Sequence, residues 1–361
     1  MTSVAASGGE LEEAGLLARA RRGDGDAFGV LVGAYRGELH AHCYRMLGSY
    51  HDAEDALQDA LVKAWRGLAG FEGRSSLRAW LYKVATNAAL DVARRRSNRE
   101  LPTSWGPSVL AGHAPGDPGA ESACIEPYPG QVLAAGGWEP SPEARYEQQE
   151  SLELAFVAAV QHLPPPQRAV LLLREVVGFS AQETADQLGT SVPAVTSALQ
   201  RARAAVGRRA PSQSQQATLR SLGDRKLRAL TEAFIDALEH ADTARVVDLV
   251  TADAVWAMPP LAGWYQGRET IGQFLTSYGF NERWRHVPAW ANGQVALGCY
   301  TQDPHRGSYV ASALAVLTLR GALIAEVDYF LTAELMRRWG HHGSFAGAEA
   351  FPRFGLPVEL D

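Results

Sequence analysis

Aromatic, amide and basic side chains cluster near residue 90 in a combination suited to unpaired DNA. Trp80, Tyr82, Lys83 and Asn87 precede a basic run at residues 94–96. Aromatic rings hold unpaired bases by stacking while cations follow the phosphates. A base that leaves the duplex must be captured, because unstacking it costs about a few kcal/mol. We therefore expect this stretch to bind single-stranded DNA, although Trp80 also fits the apolar face of its own helix.

A second set of polar side chains follows the signals of a helix-turn-helix. Ser180 and Glu183 form an S-x-x-E capping box, Gly189 suits a turn, and Ser191 suits the N-cap of a second helix. A recognition helix presents exposed polar residues to base edges and arginines to phosphates. Here those residues are Thr196, Ser197, Gln200, Arg201 and Arg203. A short helical hairpin on its own is more often structural, so this prediction depends on the rest of the chain.

An acidic surface is predicted on one side of an amphipathic helix. Ala56, Leu57, Ala60 and Leu61 repeat at helical spacing and form its apolar face. The polar side carries Asp52, Glu54, Asp55, Gln58 and Asp59. Such a surface is either a solvated face or a docking site for a protein partner.

The charge of the chain is unevenly distributed. It has 361 residues and a formal net charge of -6, so length predicts two to three domains and charge alone argues against a nucleic-acid binder. Basic residues are concentrated near residues 94–99 and 201–209, as expected of basic patches beside an acidic docking face. The dispersed cysteines Cys43, Cys124 and Cys299 predict neither a disulfide framework nor a zinc site. No metal or other cofactor is predicted.

Periodicity and helix breakers divide the chain into five sections. Residues 11–97 and 143–210 are helical, and residues 98–142 form a linker rich in Pro, Gly and Ser. In the first section, three amphipathic helices predict a compact bundle; one of them is expected to run through Phe28 and Leu39. Residues 224–340 mix helices with β-like runs, and residues 341–361 are predicted to be a tail.

The order of these pieces resembles the sigma-70 family of RNA polymerase sigma factors. Region 2 of that family is similar to three stretches of this chain: GDAFGVLVGAY, DAEDALQDALVKAW, and F-x-G-R-S-S-L-R-A-W-L-Y-K-V-A-T-N closing on A-R-R-R. Residues 151–206 resemble region 4. The combination resembles the extracytoplasmic-function sigma factors (group IV). The resemblance implies a promoter-specificity subunit that binds core RNA polymerase and promoter DNA.

The resemblance also implies a role for each surface. It implies that the acidic face binds the β′ clamp helices of the polymerase, with a further contact on the β flap, and that the helix-turn-helix reads the −35 element. It implies that the −10 element is held by Phe71, Trp80, Tyr82, Lys83, Asn87, Arg94, Arg95 and Arg96. Family members often carry arginine where this chain has Thr196, Ala198 and Gln200. That departure predicts weaker phosphate anchoring and an unusual −35 hexamer.

The linker contains the stretch E-P-Y-P-G at residues 126–130. Its prolines favour an extended conformation with few internal hydrogen bonds. The family runs such a segment between regions 2 and 4, and a similar x-P-Y-P-x stretch occurs in a sigma-factor subgroup with a C-terminal extension. A plain flexible linker is the alternative interpretation.

The C-terminal section resembles the SnoaL-like, polyketide-cyclase superfamily in its order of elements and in its W-Y-x-G-R stretch at residues 264–268. The resemblance implies an α+β fold in which a curved sheet and helices enclose a cone-shaped cavity. The pocket of that cavity is predicted to be lined by Trp256, Met258, Trp264, Tyr265, Arg268, Trp284, Trp290 and Tyr329. For each aromatic, an ordinary core position is the alternative.

The residues alone leave open whether this domain is catalytic. Asp253, His286 and Asp328 are acid–base candidates, but nothing in the sequence sets their distances. The leading prediction is a non-catalytic sigma factor with a regulatory C-terminal domain, and an anti-sigma factor or a small ligand as further candidate partners. One alternative is a cyclase- or isomerase-type enzyme fused to a DNA-binding module. Another is a repressor that acts without polymerase, which leaves the acidic face unexplained.

The predicted fold is multidomain. An all-α region 2 bundle and a region 4 helix-turn-helix precede an α+β, SnoaL-like, cone-shaped domain. Residues 1–9 lack the basic start and apolar run of a signal peptide, and no stretch approaches the roughly 18 apolar residues of a membrane span. We therefore expect a cytoplasmic protein without a membrane partner.

Overall fold

A computed structural model describes residues 3–118, 124–130, 149–209, 211, 213–303, 307–342, 344 and 346–361. The described residues form two compact units. Those of Met1–Asn98 and Ala159–Arg209 form a helical unit, and those of Arg99–Gly130, Tyr146–Ala158 and Ala210–Asp361 form a mixed unit. The described part of the predicted linker therefore belongs almost entirely to the mixed unit.

The helical unit is built from two blocks of helices. The first block contains α1 (Ser3–Arg21), α2 (Gly25–Gly33), α3 (Arg36–Leu47), α4 (Tyr50–Gly67) and α5 (Leu77–Arg95). The second contains α6 (Leu154–Gln161), α7 (Pro165–Leu171), α8 (Ala181–Leu188) and α9 (Val192–Gly207). A π-helical turn at Leu172–Val176 continues α7, and α6 begins in the mixed unit and ends in the helical unit.

Local capping and apolar burial explain the first block. Ser49 caps α4 by accepting a hydrogen bond from the Asp52 backbone N–H (3.1 Å), and Ser76 caps α5 in the same way. The apolar faces of these helices bury Leu57 and Leu81 almost completely. The predicted bundle is confirmed.

One predicted helix of this block is in fact two. The stretch from Phe28 to Leu39 is interrupted at Ala34 and Tyr35, between α2 and α3. The interruption follows Gly33, and glycine is among the weakest helix formers because it retains most freedom in the unfolded chain. The apolar periodicity continues across the break, which is why the sequence pattern suggests one helix.

The mixed unit pairs a twisted sheet with a layer of helices. Its helices are α10 (Gln215–Leu222), α11 (Asp224–Glu239), α12 (Thr243–Leu249), α13 (Arg268–Ser277) and α14 (Ala333–Arg338). Its strands are β1 (Val250–Ala257), β2 (Trp264–Gln266), β3 (Trp284–Ala291), β4 (Gln294–Gln302), β5 (Tyr309–Arg320), β6 (Leu323–Leu331) and β7 (Glu359–Leu360). The strand order is β2-β1-β6-β5-β4-β3, with β7 added beside β5.

The core of the mixed unit lies between this sheet and the helices. β1 and β6 run parallel, and the other strand pairs are antiparallel. Phe234 and Leu238 from α11 and Ile271 and Phe274 from α13 pack on one face of the strands in a single apolar cluster. Because side chains alternate along a strand, the residues between those in the cluster face the other side of the sheet.

The described linker residues are bound to the mixed unit. The Val109 backbone N–H donates to the Trp264 carbonyl (2.7 Å). In the E-P-Y-P-G stretch, Tyr128 is fully buried and exchanges hydrogen bonds with Asn292, through its carbonyl (2.8 Å) and its N–H (2.9 Å). For these residues the flexible-linker interpretation is wrong, because their backbone groups are paired.

The prediction of a tail at residues 341–361 is also wrong. Strand β7 pairs with β5, with Leu360 opposite Tyr309. Before it, Phe351 in a 3-10 turn (Ala348–Phe354) is fully buried and meets the ring of Tyr300 at a centroid distance of 5.5 Å. The last residues therefore cover part of the sheet, because their apolar side chains find partners on strands.

Candidate functional site

The acidic surface is present on α4. Asp55, Gln58 and Asp59 are exposed, and Glu54 is partly buried. Glu54 pairs with Arg36, and its carboxylate lies 3.3 Å from the Nε2 atom of His40. The hydrogen bond from His40, together with Gln58 and Arg36 and against the effect of burial, lowers the pKa of Glu54 to about 2. The carboxylate therefore stays ionised at neutral pH.

Asp52 differs from the rest of the predicted acidic set. It is buried, and its carboxylate pairs with Arg96. Arg96, predicted for the −10 surface, thus neutralises a residue predicted for the polymerase surface. Arg94, also exposed, pairs with Asp91 at 3.0 Å. In this structure Asp52 stabilises the bundle, and the exposed acidic surface consists of its neighbours on α4.

Two of the predicted −10 residues pack on each other. The rings of Phe71 and Trp80 lie 5.2 Å apart between centroids. Phe71 is buried in a small apolar cluster with Leu68, and Trp80 packs at the edge of that cluster. Lys83 and Asn87 are exposed and lie four residues apart, so they share one face of α5. The exposed part of the predicted −10 surface is therefore this face and the arginines that follow it.

Tyr82 is a contact between the two helical blocks. It is buried, its hydroxyl donates to Glu38 (3.1 Å), and its ring meets Phe179 edge-on at 5.4 Å. The Arg78 guanidinium lies over both rings, 4.9 Å from the centroid of Tyr82 and 5.6 Å from that of Phe179. Lys83 adds a bond from its ammonium group to the Asp186 carbonyl (3.2 Å). In this conformation Tyr82 is not available to DNA.

Arg168 is a second link between the blocks, and it lies outside the predicted set. Its side chain is fully buried and donates to carbonyl oxygens of Met46 in α3 and of Val160, Gln161 and Leu163 in the second block. Burial lowers its pKa to about 10, so it remains charged at neutral pH. A lone arginine within the apolar run Q-R-A-V-L-L-L is the sequence signal that could have pointed to it.

The helix-turn-helix forms as predicted. Ser180 and Glu183 make both bonds of the capping box at the start of α8, at 3.1 and 2.8 Å. Gly189 ends α8 with a φ of +62°, a left-handed conformation that glycine adopts without steric cost. Ser191 then caps α9 through the Ala194 backbone N–H. These local interactions set the angle at which α9 leaves the turn.

The predicted −35 residues all lie on the exposed side of α9. Val195 and Leu199 are buried against the rest of the unit. The exposed set contains Thr196, Ser197, Gln200, Arg201 and Arg203. The Thr196 hydroxyl donates to the carbonyl one turn earlier, and Arg203 pairs with Glu175. Gln200 and Arg201 therefore project from a helix whose position is set by its buried face.

The mixed unit contains a cavity of about 360 Å³ on the core side of the sheet. Of the predicted lining, Trp256, Met258 and Tyr329 border this cavity. Trp256 stacks on Tyr329 with 5.3 Å between ring centroids and 16° between planes. The predicted Trp284 also lines the cavity, and its wall includes residues outside the predicted pocket set: Leu238, Phe274, Phe280, His286 and Trp339. They come from separate helices and strands, so sequence order could not assemble them.

Four predicted pocket residues do not line the cavity, and one of them, Trp290, is exposed at the surface. The Trp264 indole donates to the Gly106 carbonyl (3.0 Å), and the Tyr265 hydroxyl donates to the His113 carbonyl (2.9 Å). The Arg268 guanidinium donates to the Val250 carbonyl, at 2.7 and 3.0 Å. The polar groups of these three residues are engaged by backbone carbonyls, so the W-Y-x-G-R stretch holds linker and strand in place.

His286 and Tyr329 are polar groups of the cavity wall. The His286 Nε2 atom lies 3.3 Å from the Tyr329 hydroxyl, and its Nδ1 atom lies 3.7 Å from Glu239. Burial lowers the pKa of His286 and raises the pKa of Tyr329. Both groups are therefore neutral at physiological pH, and a carboxylate stands behind the imidazole.

The other two acid–base candidates do not reach this pair. Asp253 lies at the surface beside Arg320, which lowers its pKa to about 2. Asp328 precedes Tyr329 on β6 and so points to the opposite face of the sheet. His286 is the one member of the predicted acid–base set, Asp253, His286 and Asp328, that borders the cavity.

None of the helices described in the structure is long and apolar enough to cross a membrane. Within the same residues, no three His, Cys, Asp or Glu side chains are grouped to hold a metal ion. His341, part of a histidine pair, faces Asp117 at 3.6 Å.

The helical unit contains a helix-turn-helix, and the α+β unit contains a cavity. This combination indicates a DNA-binding protein that carries a second domain with a pocket. Comparison with family models agrees: residues 31–99 match sigma-70 region 2, residues 153–206 match sigma-70 region 4, and residues 231–327 match the SnoaL-like domain.

Known proteins place the whole chain in one family. The ECF RNA polymerase sigma factor SigG of Mycobacterium tuberculosis is 39% identical over 353 residues, which cover 94% of this chain and 86% of SigG. The RNA polymerase sigma factor CnrH of Cupriavidus metallidurans is 35% identical over 194 residues, 52% of this chain and 89% of CnrH. This chain therefore belongs to the ECF RNA polymerase sigma factors, and its function is that of a sigma factor in transcription initiation.

A solved structure shares the architecture. The crystal structure of the extracytoplasmic function sigma factor SigJ of Mycobacterium tuberculosis matches with a TM-score of 0.54 and 20% sequence identity, over 84% of this chain and 96% of that chain. At this identity the match shows a common fold, with helical sigma regions followed by a SnoaL-like domain.

Proposed function

We propose that α4 binds the β′ clamp helices of core polymerase, that α5 holds the −10 element, and that α9 reads the −35 element. The observation that carries the proposal is the exposure of Gln200 and Arg201 on a helix whose opposite side is buried. That geometry supports insertion of α9 into a major groove. Exposed Lys83 and Asn87 support a second, separate DNA contact on α5.

The contact between the two helical blocks supports a closed resting conformation. Promoter elements centred at −10 and −35 are roughly 85 Å apart along B-form DNA, from 25 steps of about 3.4 Å. With the Tyr82 and Phe179 rings 5.4 Å apart, α5 and α9 do not span that distance. Binding of both elements therefore requires the blocks to separate, and the free energy for this comes from contacts with polymerase and DNA.

We further propose that the SnoaL-like domain regulates this opening through the linker. The hairpin between β3 and β4 turns at Asn292, whose side chain accepts from the Tyr128 N–H and donates to the Leu152 carbonyl (2.8 Å). Tyr128 belongs to the linker and Leu152 precedes α6, so one side chain holds two segments that connect the helical blocks. Release of these segments would lengthen the tether between the blocks.

The domain acts in this proposal without catalysis. Asp253 is held at the surface by Arg320, and Asp328 faces away from the cavity. His286 is kept neutral by burial and has Tyr329, itself neutral, as its neighbour. A cyclase or isomerase needs a base poised at its substrate, and the Nε2 atom of His286 is already occupied by the Tyr329 hydroxyl at 3.3 Å. This geometry supports binding more than proton transfer.

Promoter-directed transcription with bacterial core polymerase tests the sigma surfaces. Full-length variants are preferable to a truncation after Arg209, because Leu154 at the start of α6 donates its N–H to Gln294 of the mixed unit (2.8 Å). Asp59→Arg should reduce transcript yield about tenfold, equivalent to about 1.4 kcal/mol of lost binding. Glu12→Arg, an exposed charge reversal on α1, is the matched control. Equal yields from the two variants would contradict the assignment of α4.

A further inference from the structure

The cavity of the SnoaL-like domain has the composition of a specific small-molecule site. Its volume of about 360 Å³ lies in the range of ligand pockets, which are mostly apolar with a few fixed polar groups. Trp256, Phe274 and Trp284 provide aromatic surface. Such walls favour flat aromatic molecules, because ring pairs add attraction beyond burial alone.

The polar pair in the wall selects the hydrogen-bonding character of the occupant. Glu239 lies 3.7 Å from the Nδ1 atom of His286 and accepts from the His286 backbone N–H (2.7 Å). The carboxylate favours the tautomer with its proton on Nδ1, which leaves Nε2 to accept from the Tyr329 hydroxyl. The Tyr329 oxygen, which also contacts the buried Cys299 thiol, then retains a lone pair that accepts a hydrogen bond from a ligand O–H or N–H.

The charged groups around the cavity favour an uncharged ligand. Burying an unpaired charge is expensive, and the carboxylate among the lining residues is already paired. Glu282, which lines the cavity, is 2.7 Å from Arg338, and His341, also lining, is 3.6 Å from Asp117. An anion would also lie close to the carboxylate behind His286.

A segment of the linker forms part of the cavity wall. We name residues 106–118 the strap. The strap supplies Pro115 to the cavity lining, and its Gly112 carbonyl accepts from Tyr278, another lining residue. The Pro115 carbonyl accepts from the Gly263 N–H (2.8 Å), and a β-carbon at Gly263 would come within 2.1 Å of that oxygen. Docking of the strap therefore requires glycine at position 263.

We propose that this cavity binds a flat, uncharged, largely aromatic small molecule that donates one hydrogen bond to Tyr329, and that its binding stabilises the docked strap. The second half rests on the proposed regulatory function, because the strap belongs to the linker between the two helical blocks. A ligand that touches Pro115 binds the docked state more tightly than the undocked state. By linkage, it shifts the equilibrium toward docking by the same factor that docking adds to its affinity.

Three matched probes test the ligand class on the full-length protein: 2-naphthol, naphthalene and 2-naphthoate. Titrations are followed by quenching of tryptophan fluorescence. We expect 2-naphthol to bind about fivefold more tightly than naphthalene, which lacks the hydroxyl, since a neutral hydrogen bond contributes about that factor. The anionic 2-naphthoate should bind weakest. Failure of all three to bind, or tightest binding of 2-naphthoate, would overturn the proposal.

The variant Tyr329→Phe tests the polar contact with little change of shape. It should abolish the preference for 2-naphthol over naphthalene and leave naphthalene binding nearly unchanged. A preserved preference in a variant with an unaltered thermal melting curve would show that Tyr329 is not the acceptor.

The variant Gly263→Ala tests the coupling to the strap. It should increase hydrogen exchange of residues 106–118 and weaken 2-naphthol binding, whereas 2-naphthol should slow that exchange in the unmodified protein. Gly272→Ala is the control, because its added methyl meets neighbours at an ordinary 3.4 Å. If 2-naphthol binds but Gly263→Ala changes neither its affinity nor the hydrogen exchange of residues 106–118, the coupling is wrong. A transcription assay with the same preparations tests the proposed sigma surfaces separately. Failure of the coupling can therefore be distinguished from failure of those surfaces.

Discussion

A buried guanidinium is one of the links between the two helical blocks. The Arg168 side chain bonds to carbonyls from α3, α6 and the turn after α6. Charged donors form stronger hydrogen bonds than neutral ones, and their loss leaves several buried acceptors without a donor. Removing an arginine at the surface leaves no buried acceptor without a donor. Burial, more than charge, therefore decides which arginines of this chain are structural.

Replacing Arg168 with methionine should destabilise the helical unit by at least about 1–3 kcal/mol, the cost of leaving a buried hydrogen-bond acceptor unsatisfied. Urea unfolding followed by circular dichroism measures the change. Arg201→Met is the matched control, and a surface substitution of this kind should stay within about 0.5 kcal/mol. Similar midpoints for the two variants would show that Arg168 is not a structural link.

Asp328 is the opposite case, an acid that is buried completely. It has no exposed surface, and among the described residues neither carboxylate oxygen has a hydrogen-bond partner. Burial, reinforced by the nearby Glu326, raises the pKa of Asp328 well above its usual value. The folded protein therefore keeps a proton that the unfolded chain releases above about pH 4. Stability should fall as the pH rises between those two pKa values.

Asp328→Asn should reduce this pH dependence and leave the part that comes from Glu326, whose pKa burial raises to about 7. For one proton the slope is up to about 1.4 kcal/mol per pH unit, so the variant should gain stability over the unmodified protein as the pH rises from about 5 to about 8. Urea midpoints across that range provide the measurement. Asp253→Asn applies the same chemical change to an exposed, ion-paired carboxylate, and a parallel gain there would rule out burial as the cause.

At the scale of the element, α9 separates base reading from phosphate binding. Gln200→Ala should relax preference at one base pair of the −35 element, at a cost of about 1–3 kcal/mol for the preferred base. Arg201→Ala should weaken binding to all sequences alike and reduce the salt slope by about 1. Binding of holoenzyme to a set of −35 variants, repeated at several salt concentrations, distinguishes the two effects. Loss of sequence preference in both variants would mean that Arg201 also reads a base.

Elements whose signals are local could be predicted from the sequence. The capping box at Ser180, the turn at Gly189 and the cap at Ser191 involve residues within four positions of each other, so a short window contains the whole interaction. The pocket could be predicted only in part. Trp264 and Tyr265 are aromatic like Trp256, but linker carbonyls about 150 residues earlier in the chain hold their polar groups.

At the scale of the whole molecule, the features that could not be predicted depend on partners far away along the chain. The E-P-Y-P-G stretch has no periodicity, so nothing near Tyr128 reveals that Asn292 pairs with it. The last strand pairs with β5, about 50 residues earlier in the chain. Contact between the helical blocks depends on Arg78 and Phe179, about 100 residues apart. The family resemblance identified the blocks, but their packing is a property of the folded chain.

We expect the two helical blocks to separate when the protein binds polymerase, and this expectation tests whether the closed arrangement is the resting form. Val30→Cys on α2 and Ala204→Cys on α9 provide exposed labelling sites for an energy-transfer pair. The native Cys43, Cys124 and Cys299 are buried, and burial raises the pKa of each thiol to about 12, so they should not react. Energy transfer should be high in the free protein and should fall when core polymerase is added, because the promoter elements lie roughly 85 Å apart. Unchanged transfer in an active holoenzyme would show that the blocks bind promoter DNA without separating, and the Tyr82–Phe179 contact would then belong to the working form.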